Sequence, residues 1–292
     1  YAYCTLQTAI SKRFMELKTV INLFEIKGSI EVIKKLNKGL INTTYLVLTN
    51  ERKYILQKIN TSIFKNVSAI MENIEMINTH LKKNNYQYEL LAVIKTKNNA
   101  NLFFDASNNP WRCYKYIEHK NYTFEDLNDK IMMEYGKAIG HFHSCISAFN
   151  SSKITNTIAD FHNTTKYFTT LKSLMNKNTS KRKNEVEEEL EFVQQFSEKF
   201  KEINQWLQIG RIPSRVCHND TKIDNILFDT KNNKVKSIID LDTIMCNSII
   251  YDFGDAIRTS CNLTSEDDSN INNVNFNFEF FKAFSKGYLK ET

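Results

Sequence analysis

Hydrophobic positions in the first third of the chain alternate as they do in strands. The runs "TYLVLT" and "KYILQKI" flank the short polar turn "NER", which predicts a hairpin. A second hairpin is predicted between residues 88 and 117, with "KNNAN" and "SNN" as its turns. Between the two hairpins, from about Ser68, apolar residues recur at helical spacing and predict one helix, with Ile70, Ile74, Ile77 and Leu81 on its apolar face.

After Ile117 the period of the pattern becomes helical. One apolar face is formed by Ile131, Tyr135, Ile139, Phe142 and Ile146. Charged helices are predicted over residues 160–208, a second strand-rich patch over 216–243, and helix-like residues at the end of the chain.

This order of elements predicts an α+β fold of two lobes with a cleft between them, as in protein kinases. We expect a small β-rich N-terminal lobe at residues 1–116 that binds the nucleotide, with 1–20 as a loosely packed extension. Residues 117–292 are expected to form a larger, mainly helical C-terminal lobe for catalysis and acceptor binding, and "CYKYIEH" to connect the two.

Charge and cysteine usage exclude several classes of protein. The net charge of +6 is spread along the chain, without the clustered basic residues that nucleic-acid binding requires. None of the six cysteines forms a CxxC pair, which favours reduced thiols in a cytoplasmic protein over disulfides or a zinc site. The sequence shows neither an apolar run of transmembrane length nor a signal-peptide pattern, so no membrane partner is expected.

The stretch "HNDTKIDN" carries the strongest chemical signal. Asp220 is followed two residues later by Lys222 and five residues later by Asn225. This is the spacing of the protein-kinase catalytic loop, in which the Asp accepts the proton of the acceptor hydroxyl and the Asn holds a metal ion. The sequence therefore predicts phosphoryl transfer with Asp220 as the base.

Two later stretches compete for the second metal-binding position. The predicted hairpin "NILFDTKNNKVKSIID" returns the chain to Asp240, so Asn225 and Asp240 are expected to share a metal ion. Asp242 is expected on the same side, because side chains alternate along an extended chain. The literal Asp-Phe-Gly at Asp252 lies 32 residues after Asp220 (252 − 220), with no hairpin to deliver it. We interpret Asp252 as a brace of the catalytic loop.

These strings carry a family resemblance. The stretch "VCHNDTKIDNILFD…IIDLDT…YDFGDAIR" resembles the aminoglycoside phosphotransferase and choline kinase-like superfamily, and it is most similar to the N-acetylhexosamine 1-kinases. The resemblance extends over roughly residues 24–290 and implies a kinase that uses ATP and Mg²⁺ to phosphorylate the anomeric hydroxyl of GlcNAc or GalNAc. It further implies that Lys222 steadies the transferring phosphate, that Asp242 assists at the metal, and that Arg258 lines the sugar site beside Asp220.

The nucleotide is expected in the N-terminal lobe. Its candidate ligands are Gly39, Asn42 and Thr43 in the turn "NKGLINTTY", Gln57 and Lys58 in the following hairpin strand, and Glu72 in the helix. Gln57 occupies the slot of the ATP-binding lysine of kinases, with Lys58 facing away and Glu72 in the place of the partner acid. The chain departs from the family in having one glycine in this turn, and Leu40 where the family has histidine. It also ends at Thr292, whereas related sugar kinases continue with further helices, so we expect a truncated chain or a differently built pocket.

Three functions remain open from the sequence. The branch-specific strings favour an N-acetylhexosamine kinase. The second possibility is a kinase of the same fold for another small alcohol, such as choline or an aminoglycoside. Cationic acceptors need an acidic or aromatic pocket, so the carboxylates near Asp220 discriminate between these two. The third possibility, favoured by the chain's end and the altered glycine turn, is a catalytically incompetent nucleotide-binding protein.

Overall fold

A computed structural model describes residues 15–37, 41–122, 124–177, 183–262, 264 and 268–292. Within these described residues the strands are β1 Ile30–Leu36, β2 Thr43–Thr49, β3 Lys53–Lys58, β4 Val93–Ile94, β5 Phe103–Phe104, β6 Pro110–Lys115, β7 Arg215–Cys217, β8 Ile226–Phe228, β9 Val235–Ile238 and β10 Met245–Asn247. The α-helices are α1 (15–21), α2 Val67–Lys83, α3 Asp129–Ile146, α4 Thr164–Lys177, α5 Glu187–Gln195, α6 Ser197–Gln208, α7 Ile249–Ser260 and α8 Phe278–Tyr288. This α+β arrangement confirms the predicted fold class.

Six antiparallel strands form the N-terminal sheet in the order β1-β2-β3-β6-β4, with β5 paired to β6. Alternation along the strands gives the sheet two faces. One face packs Tyr54 and Leu56 against α1 and Phe24 in a separate apolar core. The other face carries Gln57 and Arg112, which lie directly opposite each other on β3 and β6. The predicted β2–β3 hairpin is confirmed, and so is the turn at "SNN", which joins the paired strands β5 and β6. The turn at "KNNAN" does not close a hairpin, because β4 pairs with β6 and not with β5.

The helix predicted from about Ser68 is present as α2, and its apolar face belongs to the main core of the molecule. Its apolar face packs with that of α3, on which all five residues predicted to be apolar are buried. The second strand-rich patch forms two short pairs, β7 with β10 and β8 with β9. The charged region contains α4, α5 and α6.

The predicted limits of the N-terminal lobe can be compared with the described residues. Residues 1–14 lie outside the described residues, but Val20 and Ile21 are buried against the N-terminal sheet, so the predicted loose extension does not reach residue 20. The predicted lobe boundary falls just after β6, which ends at Lys115. No helix in the part of the chain that the structure describes is both long and apolar enough to cross a membrane.

The backbones of helices α3 and α8 approach each other closely at two glycines, Gly136 and Gly287. A Cβ atom at Gly136 would overlap the carbonyl oxygen of Phe284, and one at Gly287 would overlap that of Met133. Backbone groups cannot yield as a flexible side chain can. The two glycines therefore allow α8 to cover the buried face of α3.

We expect Gly136→Ala to destabilise the protein by about 1–3 kcal/mol, as overpacking does. The matched control is Gly254→Ala in α7, where a Cβ would meet nothing within 4 Å. That change is expected to stabilise by roughly 0.5–1 kcal/mol, the ordinary gain of Ala over Gly in a helix. Urea unfolding of both variants measures the difference, and an equal gain in both would contradict the close packing of α3 on α8.

Candidate active site

The predicted catalytic loop follows β7 and is closed by hydrogen bonds within itself. The amide of Asn225 donates to Asp220 Oδ2 at 2.9 Å and to the Asp220 carbonyl oxygen at 2.8 Å. Lys222 Nζ lies 3.4 Å from the same carboxylate oxygen. The side chain of Asp220 is 26% exposed. The structure thus brings the three predicted residues together with an accessible carboxylate.

The β8–β9 hairpin brings Asp240 next to Asn225. Ile226 pairs with Ile238, and the Ile239 N–H donates to the Asn225 carbonyl oxygen at 2.9 Å. Burial, followed by the charge of Asp242, raises the pKa of Asp240 to about 6. Among the described residues, none donates a hydrogen bond to the Asp240 carboxylate. A cation beside this carboxylate would offset both effects.

The donor set at this point fits magnesium. Asn225 uses its NH₂ group on Asp220, and among the described residues none donates a hydrogen bond to its Oδ1. Mg²⁺ is commonly held by one or two protein oxygens together with substrate phosphates. Within the described residues no group of three or more His, Cys, Asp or Glu could hold a metal by itself. A magnesium site here therefore depends on nucleotide phosphates for its remaining ligands.

The prediction for Asp242 is wrong in its geometry. Asp240 has a left-handed backbone with φ 61°, and residues Leu241–Thr243 form a 3₁₀ turn, so the alternation of an extended chain does not apply. Arg112 donates to both Asp242 carboxylate oxygens, at 2.5 and 2.8 Å, and the Asn42 amide donates to Oδ2 at 2.8 Å. Both oxygens of Asp242 are thus bound by Arg112, and the part of Asp242 at the metal stays a prediction.

Asp252 braces the catalytic loop, as predicted. Its carboxylate accepts the backbone N–H of His218 at 2.8 Å and of Asn219 at 2.6 Å. It also contacts His143 Nε2 at 2.7 Å, a partner that the sequence did not reveal. Burial alone would raise the pKa of Asp252, but His143 and His218 together hold it below its ordinary value. The Asp-Phe-Gly string is therefore a structural feature of α7.

His218 connects the predicted catalytic loop to the end of the β8–β9 hairpin. Its ring is buried, with Nε2 2.9 Å from the Ile239 carbonyl oxygen and Nδ1 3.2 Å from the Asp220 nitrogen. The Asp220 N–H donates to Nδ1, so the ring nitrogen facing the Ile239 carbonyl oxygen is the donor Nε2. The position of Asp220 is thus tied to that of Asp240.

In the N-terminal sheet, Gln57 faces away from the apolar core, and its role towards the nucleotide stays a prediction. It accepts from Arg112 Nε at 3.0 Å and donates to Thr44 Oγ1 at 3.1 Å. Lys58, one residue on, points to the other face of the strand. Gly39 lies outside the described residues, and Thr43 begins β2.

Two further predicted site residues, Glu72 and Arg258, are exposed. Glu72 is exposed on α2, and it is Met71 of this helix that approaches Arg112, with its sulfur 3.9 Å from Nη1. The helix turns Glu72 towards solvent, so the prediction of a partner acid there is wrong. Arg258 is 57% exposed and pairs with Asp255 at 2.8 Å, one turn earlier in α7.

A cleft of about 270 Å³ lies beside the catalytic loop. Its polar lining comes from Asn156, Asp160, His162, Asn163, Asn204 and Asn247. Asn247 donates to Asn219 Oδ1 at 2.9 Å, and His162 Nε2 lies 2.9 Å from the Asn219 carbonyl oxygen. The cleft therefore borders the residue that precedes Asp220. Sequence reasoning missed it because three separated segments build it.

A model of the phosphotransferase enzyme family matches residues 32–279. The chain belongs to this family. Its fold is similar to that of an amicoumacin kinase solved with AMP-PNP and Ca²⁺ (16% identity, 98% of this chain and 80% of that chain, TM-score 0.66). It is also similar to a microcompartment-associated aminopropanol kinase (13%, 96% and 81%, 0.63) and to an ethanolamine kinase of Plasmodium vivax (16%, 91% and 69%, 0.55). At these identities the structures show a shared kinase-like fold.

Proposed function

We propose that this phosphotransferase transfers the γ-phosphoryl group of ATP to a hydroxyl group of a small molecule. The observation that carries the proposal is the accessible Asp220 carboxylate, held by Asn225, whose backbone is paired with the residue before Asp240. Among the described residues none donates a hydrogen bond to the Asp240 carboxylate. Phosphoryl transfer requires positioning and charge compensation more than covalent chemistry from the protein. ADP- and AMP-PNP-bound structures among the fold neighbours support a nucleotide as donor.

Each residue has a defined part in the proposed reaction. Asp220 accepts the proton of the acceptor hydroxyl, and Lys222 places positive charge beside the transferring group. Burial would lower the pKa of Lys222, but Asp220 and Asp240 raise it, so the amine stays protonated. Asn225 Oδ1 and Asp240 would hold Mg²⁺, which neutralises charge on the phosphates when it is bound.

For the acceptor we propose an N-acetylhexosamine, phosphorylated at its anomeric hydroxyl. The resemblance to the N-acetylhexosamine 1-kinases supports this choice, and so does the charge of the cleft. Its lining contains one carboxylate, Asp160, and Lys166 neutralises it through an ion pair. A neutral lining with several side-chain amides suits an uncharged ring with hydroxyl and amide groups better than a polycation. Arg258 is held by Asp255, and we assign it no acceptor contact.

ADP release from ATP and Mg²⁺, with GlcNAc, GalNAc, choline and kanamycin offered separately, tests the proposal. We expect turnover with one of the two sugars and a product that ³¹P NMR identifies as the 1-phosphate. Turnover with choline or kanamycin alone would contradict the sugar assignment and leave the kinase. Binding of Mg·ATP without turnover on any hydroxyl compound would contradict the kinase itself.

A further inference from the structure

Arg112 is buried although it carries a full charge. It is 1% exposed, and it donates from Nη1 and Nη2 to Asp242 and from Nε to Gln57 Oε1. Paired donation from a guanidinium to a carboxylate is the strongest class of side-chain hydrogen bond, and its geometry is specific. Arg112 therefore fixes the Asp242 carboxylate in one position.

Asp242 also binds Asn42, which directly precedes β2. The Asn42 amide donates to Asp242 Oδ2 at 2.8 Å, while Asn42 Oδ1 accepts the Asn60 N–H at 3.0 Å. Asn42 and Asp242 are 200 residues apart in sequence. Both polar groups of Asn42 are used within the protein. Its contact with Asp242 joins the N-terminal sheet to the hairpin that ends at Asp240.

This arrangement stands where protein kinases have a different ion pair. In those enzymes a lysine of the third strand pairs with a glutamate of the following helix, and the pair must form for activity. Here the strand position holds the neutral Gln57, and the helix directs Met71 towards the site. The cation comes from the neighbouring strand as Arg112, and the acid from the segment after β9 as Asp242.

We propose that Arg112, Asp242 and Asn42 form a clamp that positions bound Mg·ATP. Arg112 fixes Asp242, and Asp242 sets the distance between the turn before β2 and the metal ligand Asp240. The three are positioning residues. The inference rests on the proposed function, because it assumes that the nucleotide lies between this turn and Asp240.

The clamp makes a specific prediction about magnesium. Partners that orient metal-binding residues typically contribute about 10–100-fold to metal affinity or activity. Asn42→Ala is therefore expected to raise the Kd of ATP about tenfold in the presence of Mg²⁺. Asn42→Asp keeps the acceptor for Asn60 but places a like charge beside Asp242, and we expect a larger loss. With EDTA no metal joins the nucleotide to Asp240, so both variants should bind ATP as the unchanged protein does.

Isothermal titration calorimetry with ATP, in Mg²⁺ and in EDTA, measures these affinities without an acceptor. Asn78→Ala is the matched control, since it removes a half-buried amide that donates to the Leu91 carbonyl oxygen. It should leave the ATP affinity unchanged. Equal affinity of Asn42→Ala and the unchanged protein in Mg²⁺, or an equal loss in EDTA, would overturn the clamp. Failure of the unchanged protein to bind ATP would instead refute the proposed function.

Discussion

Replacing Asp220 with asparagine is expected to lower kcat by about 10²–10⁴-fold, the usual contribution of a positioned general base. The change keeps the size of the side chain and an oxygen that can accept from the Asn225 amide. It removes the negative charge and the ability to take a proton. Binding of Mg·ATP should persist, because the proposed metal ligands Asn225 and Asp240 are retained. Single-turnover ADP release and ATP titration measure the two effects separately.

Asp224→Asn is the matched control for Asp220→Asn. Asp224 is exposed in the same loop, so its replacement removes one charge from the same neighbourhood without touching the carboxylate that faces Asn225. Its kcat should stay close to that of the unchanged protein. If both variants lost activity equally, the effect would come from the charge of the loop, and the role of Asp220 as base would be refuted.

Local spacing explains why the geometry of the loop from Asp220 to Asn225 could be predicted. Asp220 and Asn225 are five residues apart, and the hairpin that returns to Asp240 has a readable turn between two apolar runs. Each relation depends on one short segment whose conformation the sequence itself determines. The same locality made the assignment of Asp252 to the catalytic loop possible, because the absence of a hairpin could be seen in the sequence.

The contacts of Asp242 could not be predicted in the same way. Its partners lie 130 and 200 residues earlier, on β6 and before β2, and nothing in either stretch marks them. The left-handed backbone conformation of Asp240 ends the extended strand, and Asp242 lies in a 3₁₀ turn. Side chains therefore do not alternate here as they do along a strand, so Asp242 was not placed on the side of Asp240 by that rule. The prediction for Glu72 was wrong for a related reason. The rotation of α2 about its axis directs Met71, and not the next residue Glu72, towards Arg112. Long-range partners and helix rotation are set by packing.

Breaking the Arg112–Asp242 pair should have the largest effect on stability. Both side chains are 2% exposed, so Arg112→Met leaves a carboxylate buried without its main partner. Removing one member of a buried pair typically costs about 3–5 kcal/mol, whereas replacing both by apolar residues is often neutral. We therefore expect about 3–5 kcal/mol of destabilisation from Arg112→Met or from Asp242→Leu alone. The double variant should recover most of that stability in urea unfolding.

The exposed pair of Lys53 and Glu118 provides the comparison. The Lys53 and Glu118 side chains lie 2.7 Å apart and are 47% and 61% exposed, and Lys53→Met should change stability little because water screens such pairs.

The Arg112→Met/Asp242→Leu variant also separates the effect on folding from the effect on ATP positioning. It should be stable and yet bind Mg·ATP weakly, because Asn42 has lost its acceptor. If its two single variants were as stable as the unchanged protein, the pair would not be buried, and the clamp that depends on it would fail as well.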